Sequence, residues 1–274
     1  MIPDSHLPGL LLLGAPKSGT TTLARWWDEQ PKGYTAPAKE VGFFTVEWHR
    51  GLDWYAGNFA GAEPGQVTCD ASPGYMYEPR ALDRIAQVLP AARLAVVLRE
   101  PVSRIWSHWV YNAALGIDPR SFDQVLQEES ADEWRTPPGF PISYLHGSHY
   151  LSCLQDIAAR FDREQLLVLF SDDLRTDPEQ AFGRLCEHGG LDRGLPGKDA
   201  NVGRFPKDLA RQQRLHRLRA QRWPAGIGRR LLQTNLGAEP PRLTPAHREQ
   251  LTALLQPTLG PLEQWLGTPL PSTW

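Results

Sequence analysis

Four consecutive leucines, Leu10-Leu-Leu-Leu13, run directly into Gly14-Ala-Pro-Lys-Ser-Gly-Thr-Thr-Thr22 and then into Leu23-Ala-Arg-Trp-Trp27. A short apolar run that stops at a Gly/Pro turn reads as a buried strand, and the segment after the turn carries a helical pattern. Strand, glycine-rich loop and helix in this order bring backbone amides to the positive end of a helix dipole, where phosphate binds. The order restricts the chain to α/β folds that assemble their sites at the C-terminal ends of parallel strands.

The loop departs from a nucleoside triphosphatase loop at a decisive position. Such a loop ends Gly-Lys-Ser/Thr, so that Lys reaches the β/γ-phosphates and the hydroxyl holds magnesium. Here Gly19 is followed by Thr20, and Lys17 lies before the glycine. By itself this segment leaves a degenerate kinase loop open. A second segment, Arg93-Leu-Ala-Val-Val-Leu-Arg-Glu-Pro-Val-Ser-Arg-Ile-Trp-Ser-His-Trp109, opens with another apolar strand and turns at Pro101 into a helix. Arg99 at the strand end can bind two phosphate oxygens, and the hydroxyl of Ser107 lies eight positions on.

Pro16-Lys-Ser-Gly-Thr-Thr21 resembles the 5′-phosphosulfate loop of sulfotransferases that use 3′-phosphoadenosine 5′-phosphosulfate (PAPS), and the Arg99/Ser107 spacing resembles that family's 3′-phosphate site. Ala38-Lys-Glu-Val-Gly-Phe-Phe44 resembles the Lys-Glu-x-x-Phe-Phe segment of the heparan-sulfate branch, whose Glu is the base. Asp70-Ala-Ser-Pro-Gly-Tyr75 resembles that branch's segment beside the acceptor, and Gln165 to Pro178 resembles a late strand and helix start. The matches run from about residue 9 to 210. Where the cytosolic branch has Trp after the second Thr and Tyr before the late acidic pair, this chain has Thr22 and Ser171, and no Lys-x-His segment is found. These departures favour the Glu-based branch. Resident Golgi members of the family carry an N-terminal anchor, so the lack of one here implies a bacterial member or a trimmed catalytic domain, and the Ala/Arg/Pro-rich composition leans toward the former.

The resemblance implies a set of roles. Ala15, Pro16, Lys17, Ser18, Gly19, Thr20 and Thr21 hold the 5′-phosphate, with Lys17 also stabilising the leaving oxygen. Arg99 and Ser107 hold the 3′-phosphate. Glu40 is the base. Lys39, Tyr75, His146 and His149 contact the acceptor, a carbohydrate or another hydroxyl-bearing small molecule such as a secondary metabolite. Within the basic tract 198–230, Arg204 and Lys207 close over the donor and Phe205 neighbours its adenine. PAPS is then the co-substrate and no metal is required, because the transferred sulfonate carries one charge.

Composition excludes several other classes. The 274 residues, 41% hydrophobic, suffice for one large core, so a single α/β domain over 1–274 is expected, P-loop-like, with a central mostly parallel sheet flanked by helices. A formal charge of -2 and few aromatics in the basic tract argue against nucleic acid. Cys69, Cys153 and Cys186 are widely spaced, which indicates neither disulfide framework nor zinc site. Met1-Ile-Pro-Asp-Ser-His-Leu-Pro has no basic n-region and Leu10–Leu13 is too short to span, so no membrane association and a cytoplasmic location are expected.

Strands are expected at 9–13, 67–69, 94–98 and 166–170, with helices after the first and third and at 178–186 and 245–255. The polar stretch 118–141, with Pro119, Pro137, Pro138 and Pro141, reads as a loop-rich insertion. His108, next to Ser107, points elsewhere on its helix and reads as a packed residue, as do Trp26, Trp27, Trp106 and Trp109. The sequence thus reads as a PAPS-dependent sulfotransferase. A P-loop nucleotide kinase and a non-catalytic binder of PAPS or adenosine bisphosphate stand as alternatives, and neither acceptor nor oligomeric state is fixed.

Overall fold

The computed structural model describes residues 7–38, 40–115, 117–130, 143–197, 205–206, 214, 236–238 and 241–274. Its main strands are β1 (Leu10–Gly14), β2 (Gly33–Thr35), β3 (Val67–Asp70), β4 (Arg93–Leu98) and β5 (Leu166–Phe170). They pair in parallel in the order β2-β3-β1-β4-β5, which gives the expected α/β sheet. Of these five, β2 lies outside the expected strands, because Gly-Tyr-Thr is too short and polar to register as an apolar run. From β1 the chain crosses towards β2, whereas from β4 it crosses to β5 on the other side. The C-terminal ends of β1 and β4 therefore flank a topological switch point, the place where such sheets bind ligands.

Within the span expected to be one domain, the chain groups into two compact units. The first comprises Met1–Glu100, His149–Asn201 and Thr258–Trp274, and holds the sheet. Alternating side chains of β1 and β4 leave by opposite faces, and both faces are covered, as a parallel sheet requires. Leu11, Leu13, Leu94, Val96 and Leu98 share a core with α3 (Pro79–Val88), α6 (Tyr150–Ala158) and Leu262 and Leu266 of α9 (Pro245–Leu266). Leu10, Leu12, Ala95 and Val97 pack with α1 (Thr20–Asp28) and α8 (Pro178–His188). Trp27, wholly buried in this second core, donates from Nε1 to the Val67 carbonyl over 3.0 Å.

The second unit comprises Pro101–Ser148 and Val202–Pro257. In it α4 (Pro101–Leu115), α5 (Phe122–Glu129) and the first half of α9 bury Val102, Ile105, Phe122, Val125, Leu126, Leu251 and Leu255. Helix α5 corrects the loop-rich reading of 118–141 over its own span. Ser121 accepts from the Gln124 amide at 3.2 Å and Gln124 accepts from the Ser121 amide at 2.8 Å, a reciprocal cap ahead of apolar residues spaced for one helix face. This local Ser-x-x-Gln cap sets the helix start despite the prolines on either side. Helix α9 likewise runs eleven residues beyond the expected end at Leu255, through Pro257 and Pro261. Burial of Leu262 and Leu266 outweighs the two missing amide donors.

Candidate active site

The loop after β1 is shaped by two glycines and one lysine. A Cβ on Gly14 would lie 2.1 Å from Met76 Sδ and 3.0 Å from the Pro73 carbonyl oxygen, so the turn after β3 packs directly on the loop's entrance. Lys17 takes φ 72 and Gly19 φ 113, both left-handed. The Ala15 amide binds the Val97 carbonyl of β4 at 2.9 Å, and the Ser18 amide binds the Ala15 carbonyl at 3.2 Å. Gly19 is the N-cap of α1 and has no side chain to cap it, so no cap occupies the amides of the first helical turn. Ser18 is 2% exposed, and its Oγ has no hydrogen-bond partner. An orphaned buried hydroxyl beside an uncapped helix N-terminus fits an anion with several acceptor oxygens.

Arg99, half-buried just past β4, donates from Nη1 to the Lys17 carbonyl at 3.0 Å. Its own carbonyl accepts from the Tyr150 hydroxyl at 2.9 Å. Burial lowers its pKa, but a guanidinium stays charged in a protein. Nearby, the buried Asp172 carboxylate takes bonds from Arg175, from Thr273 Oγ1 at 2.9 Å and from Trp274 Nε1 at 3.3 Å. The Trp274 ring leans on Tyr150 and Phe170.

Glu40 is exposed, on a segment bonded to the same turn that packs on Gly14. The Gly42 amide donates to Ser72 Oγ at 3.1 Å and the Phe44 amide to the Tyr75 hydroxyl at 3.4 Å. Both hydroxyls in turn donate to Asp70, which is wholly buried at the end of β3: Ser72 to Oδ1 at 2.6 Å, Tyr75 to Oδ2 at 3.0 Å. Tyr55 also donates to Oδ2, at 2.8 Å. Burial pushes the Asp70 carboxyl up to about 6, against the pull of its three hydroxyl donors and with a further push from the charge of Glu40. Tyr75, expected beside the acceptor, is instead wholly buried with its hydroxyl committed to Asp70. It supports the Glu40 segment from within.

The remaining expected residues fall in one or the other unit or outside the described residues. Ser107 is a half-buried residue of α4 in the second unit. His146 is exposed on a short turn in that unit, its amide bound to Ser143 Oγ at 3.1 Å, and His149 is half-buried at the N-cap of α6 in the first. His108 is packed, as expected, with Nδ1 3.3 Å from Arg104 Nη1 and its ring edge-on to Tyr144. Lys39, Arg204 and Lys207 lie outside the described residues, as does the tract 198–230 apart from residues 205, 206 and 214; of the Phe205 side chain nothing is described. Residue-type reasoning gave no role to Asp70, although an acid closing a buried parallel strand is itself a signal.

A family profile described as "Sulfotransferase domain" matches residues 7–198, well over half of the chain. The chain belongs to the sulfotransferase family. It is 28% identical over 196 residues to mouse heparan sulfate glucosamine 3-O-sulfotransferase 3B1, covering 71% of this chain and 49% of that protein. Against the Caenorhabditis elegans bifunctional heparan sulfate N-deacetylase/N-sulfotransferase 1 it is 26% identical over 192 residues, 66% of this chain and 22% of that protein. The chain therefore spans about half of one curated relative and about a fifth of the other. A sulfotransferase structure from Alicyclobacillus acidocaldarius shares the fold, with TM-score 0.72 at 22% identity over 96% of this chain and 97% of that one.

The sulfotransferase match contains the phosphate loop, Glu40, the Asp70 turn, Arg99 and Ser107, and ends before Arg204 and Lys207. Among the described residues no helix is long and apolar enough to cross a membrane.

Proposed function

We propose that the chain moves the sulfuryl group of PAPS onto a hydroxyl of a carbohydrate or small-molecule acceptor by in-line displacement. The observation that carries this reading is the bond from Arg99 to the Lys17 carbonyl, which joins the two phosphate-reading segments at the sheet's switch point. The orphaned Ser18 hydroxyl and the uncapped start of α1 support a phosphate at the loop.

PAPS, when bound, supplies an activated sulfuryl group attached to a 5′-phosphate leaving group. The amides of Lys17 and Gly19 and of the first turn of α1, together with the Ser18, Thr20 and Thr21 hydroxyls, bind and orient that phosphate, while Ala15 and Pro16 shape the loop, the Ala15 amide being held by the Val97 carbonyl and the Ser18 amide by the Ala15 carbonyl. Lys17 presents an ammonium where negative charge grows on the departing oxygen, so it favours the transition state over the ground state. Arg99 is assigned to the 3′-phosphate, and the motif spacing assigns Ser107 with it. Glu40 takes the acceptor proton as the hydroxyl oxygen attacks, since an alcohol is a weak nucleophile at neutral pH. Lys39, His146 and His149 are assigned to the acceptor, and Arg204 and Lys207 to the donor.

The test compares ligands in thermal melts. Adenosine 3′,5′-bisphosphate should raise Tm well above the shift given by AMP or by ATP with magnesium, because only it offers a phosphate to Arg99. Equal shifts with all three would sink the PAPS assignment. A screen of carbohydrate and small-molecule hydroxyl acceptors with labelled PAPS then separates an enzyme from a binder.

A further inference from the structure

The Asp70 cluster is bonded to the Glu40 segment, and its chemistry is directional. An ionised carboxylate only accepts hydrogen bonds, whereas a Ser or Tyr hydroxyl has one hydrogen to give. Asp70 takes that hydrogen from both Ser72 and Tyr75, which leaves the lone pairs of those oxygens for the amides of Gly42 and Phe44. The carboxylate thus sets the direction of two relays that end on the backbone two and four residues past Glu40.

The backbone there has little other freedom. Gly42 sits at φ 64, and its carbonyl accepts from the Thr45 and Glu47 amides at 3.2 Å each and from Thr45 Oγ1 at 3.0 Å. Phe43 and Phe44 are buried, and Arg84 Nη1 holds the Phe44 carbonyl at 2.6 Å. With its carbonyl closed by the turn, Gly42 is fixed to the rest of the protein through its amide, and that amide ends on Ser72. Pro73 and Met76, from the same turn, pack against Gly14 at the mouth of the phosphate loop.

We propose that Asp70 is a positioning residue for catalysis: through Ser72 and Tyr75 it fixes the segment bearing Glu40 relative to the phosphate loop. This rests on the assignment of Glu40 as the base. The groups facing the carboxylate are the Tyr55, Tyr75 and Ser72 hydroxyls, and the charge of Glu40 acts on it at longer range.

The experiment is a double-mutant cycle on the intact chain, with Ser72→Ala and Tyr75→Phe each made alone and in a Glu40→Gln background. Turnover is read as adenosine 3′,5′-bisphosphate released from PAPS with water as acceptor, and amide hydrogen exchange is followed at Gly42 and Phe44. Each variant should lower kcat by about 10-fold with bisphosphate Kd within about twofold of the parent, and should speed exchange at the amide whose partner it removes. In the Glu40→Gln background the same changes should cost less than about twofold. An equal kcat loss in both backgrounds, or unchanged exchange at both amides, overturns the positioning role and leaves the base assignment standing. Full turnover by Glu40→Gln overturns the base assignment and this proposal with it. Ser72→Ala and Tyr75→Phe act on separate arms, so a folding failure in one, seen as loss of the melt, leaves the other to decide.

Discussion

Arg99 Nη1 donates to the Lys17 carbonyl across 3.0 Å, so the residue after β4 holds the backbone of the residue that supplies the loop's ammonium. The two were read from separate motifs, 82 positions apart in sequence. Because one Arg nitrogen is spent on this bond, the rest of the fork is what remains for a phosphate. Under the proposed assignment Arg99 would hold the loop and bind the 3′-phosphate at the same time.

Replacing Arg99 should separate those two effects. Arg99→Ala should weaken adenosine 3′,5′-bisphosphate by roughly 10- to 100-fold, the equivalent of about 1.5–3 kcal/mol for a charge-assisted bond, while AMP affinity changes less. Arg99→Lys should fall between, since an ammonium cannot serve the carbonyl and a phosphate with fixed fork geometry. Calorimetric titration of both nucleotides checks this. Equal losses for the two would make Arg99 a loop-shaping residue only.

Lys17 combines the ammonium proposed for the leaving oxygen with a left-handed backbone, φ 72. Lys17→Ala should lower kcat by roughly 100-fold or more, the usual effect of losing one preorganised electrostatic group. Lys17→Gly should be as slow, yet no less stable than the Ala variant, because glycine adopts this conformation without steric cost. Turnover and melting on the pair distinguish charge from conformation, and a Gly variant with restored kcat would remove the ammonium from the mechanism.

Glu40 was singled out by a segment that resembles the family's, whereas the loop between β1 and α1 and the position of Arg99 at the end of β4 were legible because each sits in a short local pattern, a turn after an apolar run and an Arg ending a strand. Four of the five sheet strands were legible for the same reason. What escaped was set by distant partners. Asp70, Ser72 and Tyr75 stood in a recognised segment, but no spacing rule says that a tyrosine there turns inward to a carboxylate. Asp172 with Trp274 joins residues 102 apart, and its bond exists only once the chain has folded. Helix α5 differs, since Ser121-Phe-Asp-Gln124 is a local start signal within a proline-rich stretch.

Asp70 should leave a signature in the pH dependence of stability. Its carboxyl is pushed from an ordinary value of 3.8 to about 6 in the folded protein, mainly by burial. A raised folded-state value means that the native protein binds the proton more tightly, so this group's contribution is fully present below about pH 4 and is lost as pH rises through about 6. The loss is on the order of 3 kcal/mol for a shift of about two units. Asp70→Asn cannot ionise. The stability of the wild type minus that of Asp70→Asn, from urea unfolding, should therefore fall by about 2–3 kcal/mol between pH 4 and 7. A difference that stays flat would mean that Asp70 is no harder to ionise in the fold than in the unfolded chain.

Asp172 ties Thr273 and Trp274 to the end of β5, and the indole rests on Tyr150, whose hydroxyl holds the Arg99 carbonyl at 2.9 Å. Two substitutions at Trp274 divide this arrangement. Trp274→Phe keeps a ring against Tyr150 and Phe170 while deleting the Nε1 donor, so it should cost about 1 kcal/mol, one net hydrogen bond. Trp274→Ala removes the ring contacts as well and should cost about 2–4 kcal/mol, below the loss for a fully buried aromatic because the residue is only half-buried. If Tyr150 is kept in place by that ring, Trp274→Ala should also weaken adenosine 3′,5′-bisphosphate by a few-fold, through the looser hold on Arg99, and Trp274→Phe should not. Tyr150→Phe provides the control: it keeps the ring, deletes the hydroxyl that bonds the Arg99 carbonyl, and should reproduce the affinity loss with much less loss of stability. If Trp274→Ala lowers Tm while leaving nucleotide affinity unchanged, the indole supports the fold of the sheet edge and not the setting of Arg99.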